Sequence, residues 1–321
     1  MSDALIELLP SVLLEGLLLG CVYAMIALGY TMVYGVLGLI NFAHSEVFMV
    51  GAVAGIEVYR YVGPHIDNPY ALAVVAMLVA AGVSGGLAVA IERLAYRPLR
   101  KRGSTNRLVP LITAIGVSFF LQDFVRLIEG LWHGEFYMNY PADARMEAVH
   151  ELPLGMTIQT KSIIVIVVTA AMLLGLDHLV RRTRLGKAIR AVAQDLQTAS
   201  LMGIDPDRII ARTFLIGGAL GGVAGVMFGL LYSQINPFVG FVPGVKAFTA
   251  AVLGGIGNIY GAMLGGLVLG TVETLGGTYL FFLTEGAIGN EYKDVVAFLI
   301  LVLLLLFRPQ GLLGRTQGDK V

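Results

Sequence analysis

Charged and polar side chains set inside long apolar runs are the residues of this sequence that could do chemistry. Glu273 stands near the middle of the apolar stretch 260–283. A carboxylate at mid-bilayer costs about 2.5–3.5 kcal/mol on the insertion scale. The Leu, Val and Phe residues of that stretch each favour insertion by roughly 0.3–0.6 kcal/mol, so the acid is tolerated provided it faces other helices. Two readings are open: a polar group on a translocation pathway or its gate, and an internal hydrogen bond to a neighbouring helix. Asn41, His44, Glu46 and Glu57 cluster around an interrupted apolar region. Asn41, His44 and Glu46 join Glu273 as candidate pathway residues, although the plainer reading of a lone His near a helix start is a hydrogen bond. Asp123 and Arg126 are three apart on one helix face, which predicts a structural ion pair. Glu15 reads as interfacial, and Lys246 as snorkelling from the outer end of a short segment.

The elements that position these groups must be membrane helices. The 321 residues are 57% hydrophobic and only 14% charged, against about 25% charged in a soluble domain. A mean hydropathy of +0.80 over this length calls for lipid as the solvent. Backbone polar groups must then be satisfied internally, by helices or a closed barrel. The apolar runs are continuous, as in Ser162–Leu176 and Val295–Phe307, whereas barrel strands would alternate. The expected fold is an all-α polytopic membrane protein, a single transmembrane domain over 1–321. Candidate spans are 12–37, 45–61, 70–96, 108–131, 161–180, 211–233, 245–257, 260–283 and 294–307. That makes eight or nine crossings, with the segment 245–257 re-entrant or the first half of a broken helix.

Orientation follows from where Lys and Arg collect. The stretch 97–107 holds Arg97, Arg100, Lys101, Arg102 and Arg107, and 181–212 holds Arg181, Arg182, Arg184, Lys187, Arg190, Arg208 and Arg212. With Arg308, Arg315 and Lys320 of the tail, these are expected inside, so the C-terminus is expected in the cytoplasm. The acidic stretches 132–160 and 284–294 are expected outside. Parity then puts the N-terminus outside, unless an early segment fails to cross. The first ten residues hold Asp3 and Glu7 and no basic residue, so no secretory signal peptide is expected. Zero net charge suggests no nucleic-acid partner. The single cysteine, Cys21, excludes an intrachain disulfide and a Cys-rich metal site, and no metal site is expected.

Small residues recur at four-residue spacing as Gly217/Gly221/Gly225/Gly229 and Gly257/Gly261/Gly265, which predicts close helix packing or a sliding face. A weak internal echo links GLINFAHSEVFMVGAVAG (38–55) with SQINPFVGFVPGVKAFTAAVLGG (233–255). Both place Ile-Asn before a Gly- and Ala-rich apolar segment, as in transporters with repeated, interrupted spans.

No stretch fits the P-loop pattern. The nearest, Leu185-Gly186-Lys187-Ala188, lacks the first Gly and the Ser or Thr. His-Glu-x-x-His and Gly-x-Ser-x-Gly are also absent, so no enzyme activity and no cofactor are expected in this chain. The segment 181–213 carries seven basic and three acidic residues. Its Ala188, Ile189, Val192, Ala193 and Leu196 recur at helical spacing. Gly203 suits a helix end and Asp205-Pro206 a new start. An apolar side made mostly of Ala is poor for lipid insertion, which favours a docking surface for a cytoplasmic protein over a lipid-facing amphipathic helix.

Seven stretches carry a resemblance: YAMIALGYTMVYGVLGLINFAHSEVFMVGA (23–52), IERLAYRPLR (91–100), LITAIGVSFFLQ (111–122), TRLGKAIRAVAQDLQTASLMGID (183–205), INPFVGF (235–241), KAFTAAVLGGIGNIYGAMLGG (246–266) and EYKDVV (291–296). Over nearly its whole length the chain resembles the permease subunits of branched-chain amino acid ABC importers, most closely the H type. The resemblance implies a bacterial inner-membrane complex. A second homologous permease would complete the pore, and two cytoplasmic subunits would bind ATP and Mg. A periplasmic binding protein would deliver leucine, isoleucine or valine. It also makes 181–212 a coupling loop, with Arg184, Gly186, Arg190, Asp195, Ala199, Gly203 and Asp205 as candidate contacts. The general importer loop pattern is Glu-Ala-Ala-x-x-x-Gly. The aligned positions here are Gln197, Thr198, Ala199 and Gly203, so only Ala199 and Gly203 match. Related permeases for urea, amides or other amino acids share most of these motifs. A self-sufficient carrier or channel is the reading from another class.

Overall fold

The computed structural model describes residues 2–39, 41–101, 108–153, 156–286, 292–308 and 310–314. Arg102, Arg107, Glu291, Arg315 and Lys320 lie outside these residues. The chain is an all-α polytopic membrane protein. In order, it forms α1 (Ser2–Leu37), α2 (His44–Tyr61) and α3 (Pro69–Ile91), which continues through a π turn at Glu92–Tyr96 into α4 (Arg97–Lys101). Then come α5 (Leu108–Trp132), β1 (Met138–Asn139), β2 (Val149–Glu151), β3 (Thr157–Gln159), α6 (Thr160–Arg182), α7 (Arg184–Gln194) and α8 (Leu196–Leu201). Last are α9 (Pro206–Tyr232), β4 (Gln234–Ile235), α10 (Phe241–Gly254), α11 (Ile259–Leu283) and α12 (Lys293–Phe307). Six segments among the described residues are long and apolar enough to cross a bilayer: 8–37, 69–101, 108–132, 160–182, 206–232 and 259–283. The 14 residues of α10 rise only about 21 Å, short of a hydrocarbon core of roughly 30 Å.

Basic and acidic stretches separate to opposite ends of the bundle. At one end Arg97 and Arg100 hold Asp207 in the first turn of α9. There too Arg181 lies over the Tyr260 ring at the start of α11, and Ile189 and Val192 of α7 pack with Val33 and Val36 near the end of α1. At the other end Arg60 meets Glu135, Arg145 donates to the Asp67 carbonyl, and β1 pairs antiparallel with β4.

Two similar halves build the core, and the Ile-Asn echo marks their register. In the first, α1 ends with Gly38 at φ 63°; in the second, α9 ends with Ser233 at φ 61°. The next Asn closes a turn: Asn41 Oδ1 accepts from Ala43 N at 3.1 Å, and Asn236 Oδ1 from Phe238 N at 2.9 Å. A short helix follows, α2 or α10. The third helix then starts at an Asn cap, Asn68 for α3 and Asn258 for α11. The packing repeats this exchange. α1 lies along α11 as α9 lies along α3, and α10 on α1 as α2 on α9. The end of α1 and the start of α9 share the basic end, so the two halves are inverted.

Glycine permits both long seams. A Cβ on Gly270 of α11 would come 2.2 Å from Gly20 N, and one on Gly222 of α9 2.4 Å from Ala80 O. The stripe Gly217/Gly221/Gly225/Gly229 is likewise a packing face, against α1, α2 and Tyr140. The second stripe is shorter than its spacing predicts. Gly257 is a turn residue at φ 89°, and only Gly261 and Gly265 are helical, pressed on Gly254 and Ala250 of α10.

Candidate functional site

The starts of α2 and α10 meet in the protein interior, beside the middle of α9. Asn41, His44, Ser45 and Glu46 are all buried there. Asn41 serves the turn: besides Ala43 N it accepts the Tyr96 hydroxyl at 2.9 Å. His44 lies edge-on to Tyr30 at 4.8 Å and is wedged between Gly29 of α1 and Gly221 of α9. No hydrogen bond of ordinary geometry reaches its Nε2.

Glu46 is the most loaded group. It is 0% exposed. Its Oε1 accepts from Gln122 Nε2 at 2.8 Å, Ser118 Oγ at 3.0 Å and Ser45 Oγ at 3.2 Å. Its Oε2 has no hydrogen-bond partner and faces Gly240, where a Cβ would come within 2.8 Å of it. No cation pairs with Glu46 among the described residues. The positive ends of α2 and α10, each worth about half a charge, are what face it. Ser118 and Gln122 on α5 went unread in the sequence. Their four-residue spacing on one face of α5 was the available signal.

One turn further along α10 lies a second buried network. Lys246 Nζ is 2.8 Å from Glu273 Oε1 and 2.6 Å from Asp294 Oδ1. The Tyr23 hydroxyl donates to Glu273 Oε2 at 3.0 Å, and Lys293 stands 3.9 Å from Oε1. Snorkelling was expected of Lys246. Instead it is 4% exposed, because α10 starts inside the bundle and two carboxylates take the place of water. Glu273 is hydrogen-bonded to a neighbouring helix, the second of its two expected readings. Asp294 was not singled out, although an acid opening so apolar a helix as α12 was its signal.

Asp123 and Arg126 do not pair. Both are exposed on α5 and neither makes an ion pair among the described residues. Their side chains point away from the bundle, which α5 touches through α2 and the π turn.

At the basic end, the stretch up to Gly203 differs from the single helix its spacing predicts, while the new start at Asp205-Pro206 is found as α9. The stretch breaks at Asp195, whose carboxylate caps α8 by accepting from Thr198 N at 2.7 Å. Beyond the break Leu196 leaves the apolar stripe and is 37% exposed. The other candidates of this loop also make contacts within the chain. Gly186 packs on the Val180 and Leu179 carbonyls, Arg190 donates to the Val180 carbonyl, and Ala199 is buried. Gly203 turns the chain at φ 83°, and Asp205 caps α9 through Arg208 N at 3.2 Å. Arg184 alone of the seven is exposed and without a partner among the described residues. Leu201 and Met202, 87% and 78% exposed, form an apolar tip that sequence patterning missed.

Crossing-length helices arranged as inverted halves, with two short helices meeting head to head inside, define a helical membrane transport protein. The chain belongs to the family described as branched-chain amino acid transport system / permease component, whose model matches residues 12–305. It is 45% identical to the high-affinity branched-chain amino acid transport system permease protein LivH of Escherichia coli (strain K12), over 96% of each chain. It is 46% identical to the corresponding protein BraD of Pseudomonas aeruginosa, over 96% of this chain and 97% of that one. A shorter match, 30% identity over 42% of this chain, links it to LivM of E. coli (strain K12). No solved structure matches.

Proposed function

We propose that this chain is a permease subunit of an ATP-driven ABC importer that carries leucine, isoleucine and valine into the cytoplasm. The observation that carries the reading is the chain-long similarity to LivH and BraD. The basic end then faces the cytoplasm of a bacterial inner membrane, with the C-terminus on that side. Two ATP-binding subunits, which hold ATP and Mg, dock on α7 and α8, with Arg184 and the Leu201–Met202 tip in contact. A second permease related to LivM completes the pore. It covers the exposed Asp123 and Arg126 on α5, which would be costly against lipid. A periplasmic binding protein delivers the amino acid at the acidic end. This chain itself performs no catalysis and holds no cofactor.

Transport in this reading passes the meeting point of α2 and α10, where Asn41, His44 and Glu46 lie, and Glu273 anchors α10 through Lys246. The test is uptake of radiolabelled leucine, valine and urea in a strain deleted for this gene and complemented with it. Restored leucine and valine uptake is expected. Restored urea uptake alone would shift the substrate to the amide-type relatives. Leucine uptake by this chain alone in liposomes would overturn the ABC reading.

A further inference from the structure

Most arginines at the basic end of α3 and α9 are neutralised by acids. Arg97 and Arg100 hold Asp207, Arg100 also holds the buried Glu92, and Arg208 holds Asp205 at 2.8 Å. Arg93 and Arg212 have no acidic partner among the described residues. Both are exposed, and with Arg208 they line a 510 Å³ groove between α3 and α9 whose remaining walls are apolar. Val89 and Leu215 form its sides, and no side chain lies within 4 Å of where a Gly86 Cβ would be. Arg212 is six residues into α9, about 9 Å above the helix start. The two free guanidinium groups therefore stand at the edge of the apolar band, and the groove above them runs along apolar helix surface.

We propose that this groove is a binding site for an anionic phospholipid, its phosphate held by Arg93 and Arg212 and one acyl chain lying between Val89 and Leu215. Guanidinium forks suit phosphate oxygens, which accept two hydrogen bonds from one arginine. Basic pockets between membrane helices at the headgroup level select anionic lipids in this way. The apolar walls distinguish a lipid from free phosphate, which would gain nothing from them.

The experiment is native mass spectrometry of the assembled transporter, released from detergent after titration with phosphatidylglycerol or phosphatidylcholine. The wild type is expected to retain phosphatidylglycerol in preference to phosphatidylcholine. The double variant R93Q/R212Q is expected to lose that preference by about twenty-fivefold, since each arginine near an anionic lipid contributes roughly a fivefold effect. R93K/R212K is expected to keep much of it, and R208Q most of it, because Arg208 is already paired. Equal retention of the two lipids by the wild type would overturn the proposal without recourse to any variant. So would undiminished preference in R93Q/R212Q. Displacement of phosphatidylglycerol by millimolar inorganic phosphate would show an anion site rather than a lipid site, and would overturn it too.

Discussion

Replacing Glu273 by Gln isolates what the buried charge network contributes. The change keeps the shape of the side chain, removes the charge facing Lys246, and turns one of the two acceptor oxygens, which take hydrogen bonds from Lys246 and Tyr23, into a donor NH2. At 2.8 Å and an effective dielectric of about 20, two unit charges attract by roughly 6 kcal/mol. Desolvation of both groups offsets much of that in the intact protein. Breaking the pair is costly for a different reason, since Lys246, 4% exposed, would keep its charge with one neutralising partner gone. Orphaning one member of a buried pair costs about 3–5 kcal/mol. Asp294 stays at 2.6 Å from Nζ, which places Glu273→Gln at the low end, about 3 kcal/mol. Lys246→Met is expected to cost more, about 4 kcal/mol, because Glu273 then keeps the Tyr23 hydroxyl but has only Lys293, at 3.9 Å, as a countercharge. The double variant K246M/E273Q leaves no buried charge unpaired. Asp294, whose side chain is 38% exposed, can turn to solvent, so the double variant is expected to be more stable than Lys246→Met alone. Thermal unfolding of the purified protein in detergent, followed by the helical circular dichroism signal, measures the three. A Glu273→Gln variant within about 1 kcal/mol of wild type, or a double variant as unstable as the two single losses combined, would refute the view that Lys246, Glu273 and Asp294 act as one unit.

Other expectations follow from the remaining contacts. Gln122→Leu removes the shortest donor to Glu46 Oε1; a loss of about 1–3 kcal/mol is expected in the same unfolding assay, and an unchanged midpoint would count against Glu46 as the organiser of the α2–α5 contact. Gly244→Ala would bring a Cβ within 2.3 Å of Ser45 Cβ, so overpacking of about 1–3 kcal/mol is expected, together with increased labelling of a cysteine placed at Ser45; a silent substitution would show that the helix starts do not press together. Leu201→Asp or Arg184→Glu should abolish co-purification of the ATP-binding subunits with little change in unfolding temperature, and retained co-purification places docking elsewhere. Arg145 hydrogen-bonds the Asp143 carboxylate and holds it below the ordinary 3.8. A depressed carboxyl stabilises the fold above its unfolded value and stops doing so as pH falls through the folded one. Amide protection at Met146 and Glu147, whose N–H groups donate to the Asp143 carbonyl, should therefore persist through pH 3.8 and fail only in stronger acid; loss of protection near pH 5 would contradict the clamp.

Hydropathy and charge decided much of this protein without coordinates. Continuous apolar runs can only be helices in lipid, so the helix boundaries read from the sequence agree with the structure to within a few residues for most spans. The short segment at 245–257 was legible as one too short to cross on its own, re-entrant or half of a broken helix, and Ile-Asn repeated before it was legible as an echo. The partners of charged groups were not legible, because they are set by which helices become neighbours. Local spacing predicts that Asp123 and Arg126 pair, yet α5 turns both outward. Length predicts that Lys246 reaches water, yet α10 begins inside the bundle, where Glu273 and Asp294 arrive from two other helices. Spacing likewise predicts one helix after Arg184, but the carboxylate of Asp195 offers a second start and the chain takes it. Composition and periodicity record what each segment must bury. Only the packed arrangement of the two inverted halves brings Glu46 to Ser118 and Gln122, or Glu273 to Tyr23 some 250 positions away, because contacts between distant segments depend on the order in which helices pack and leave no local trace in the sequence.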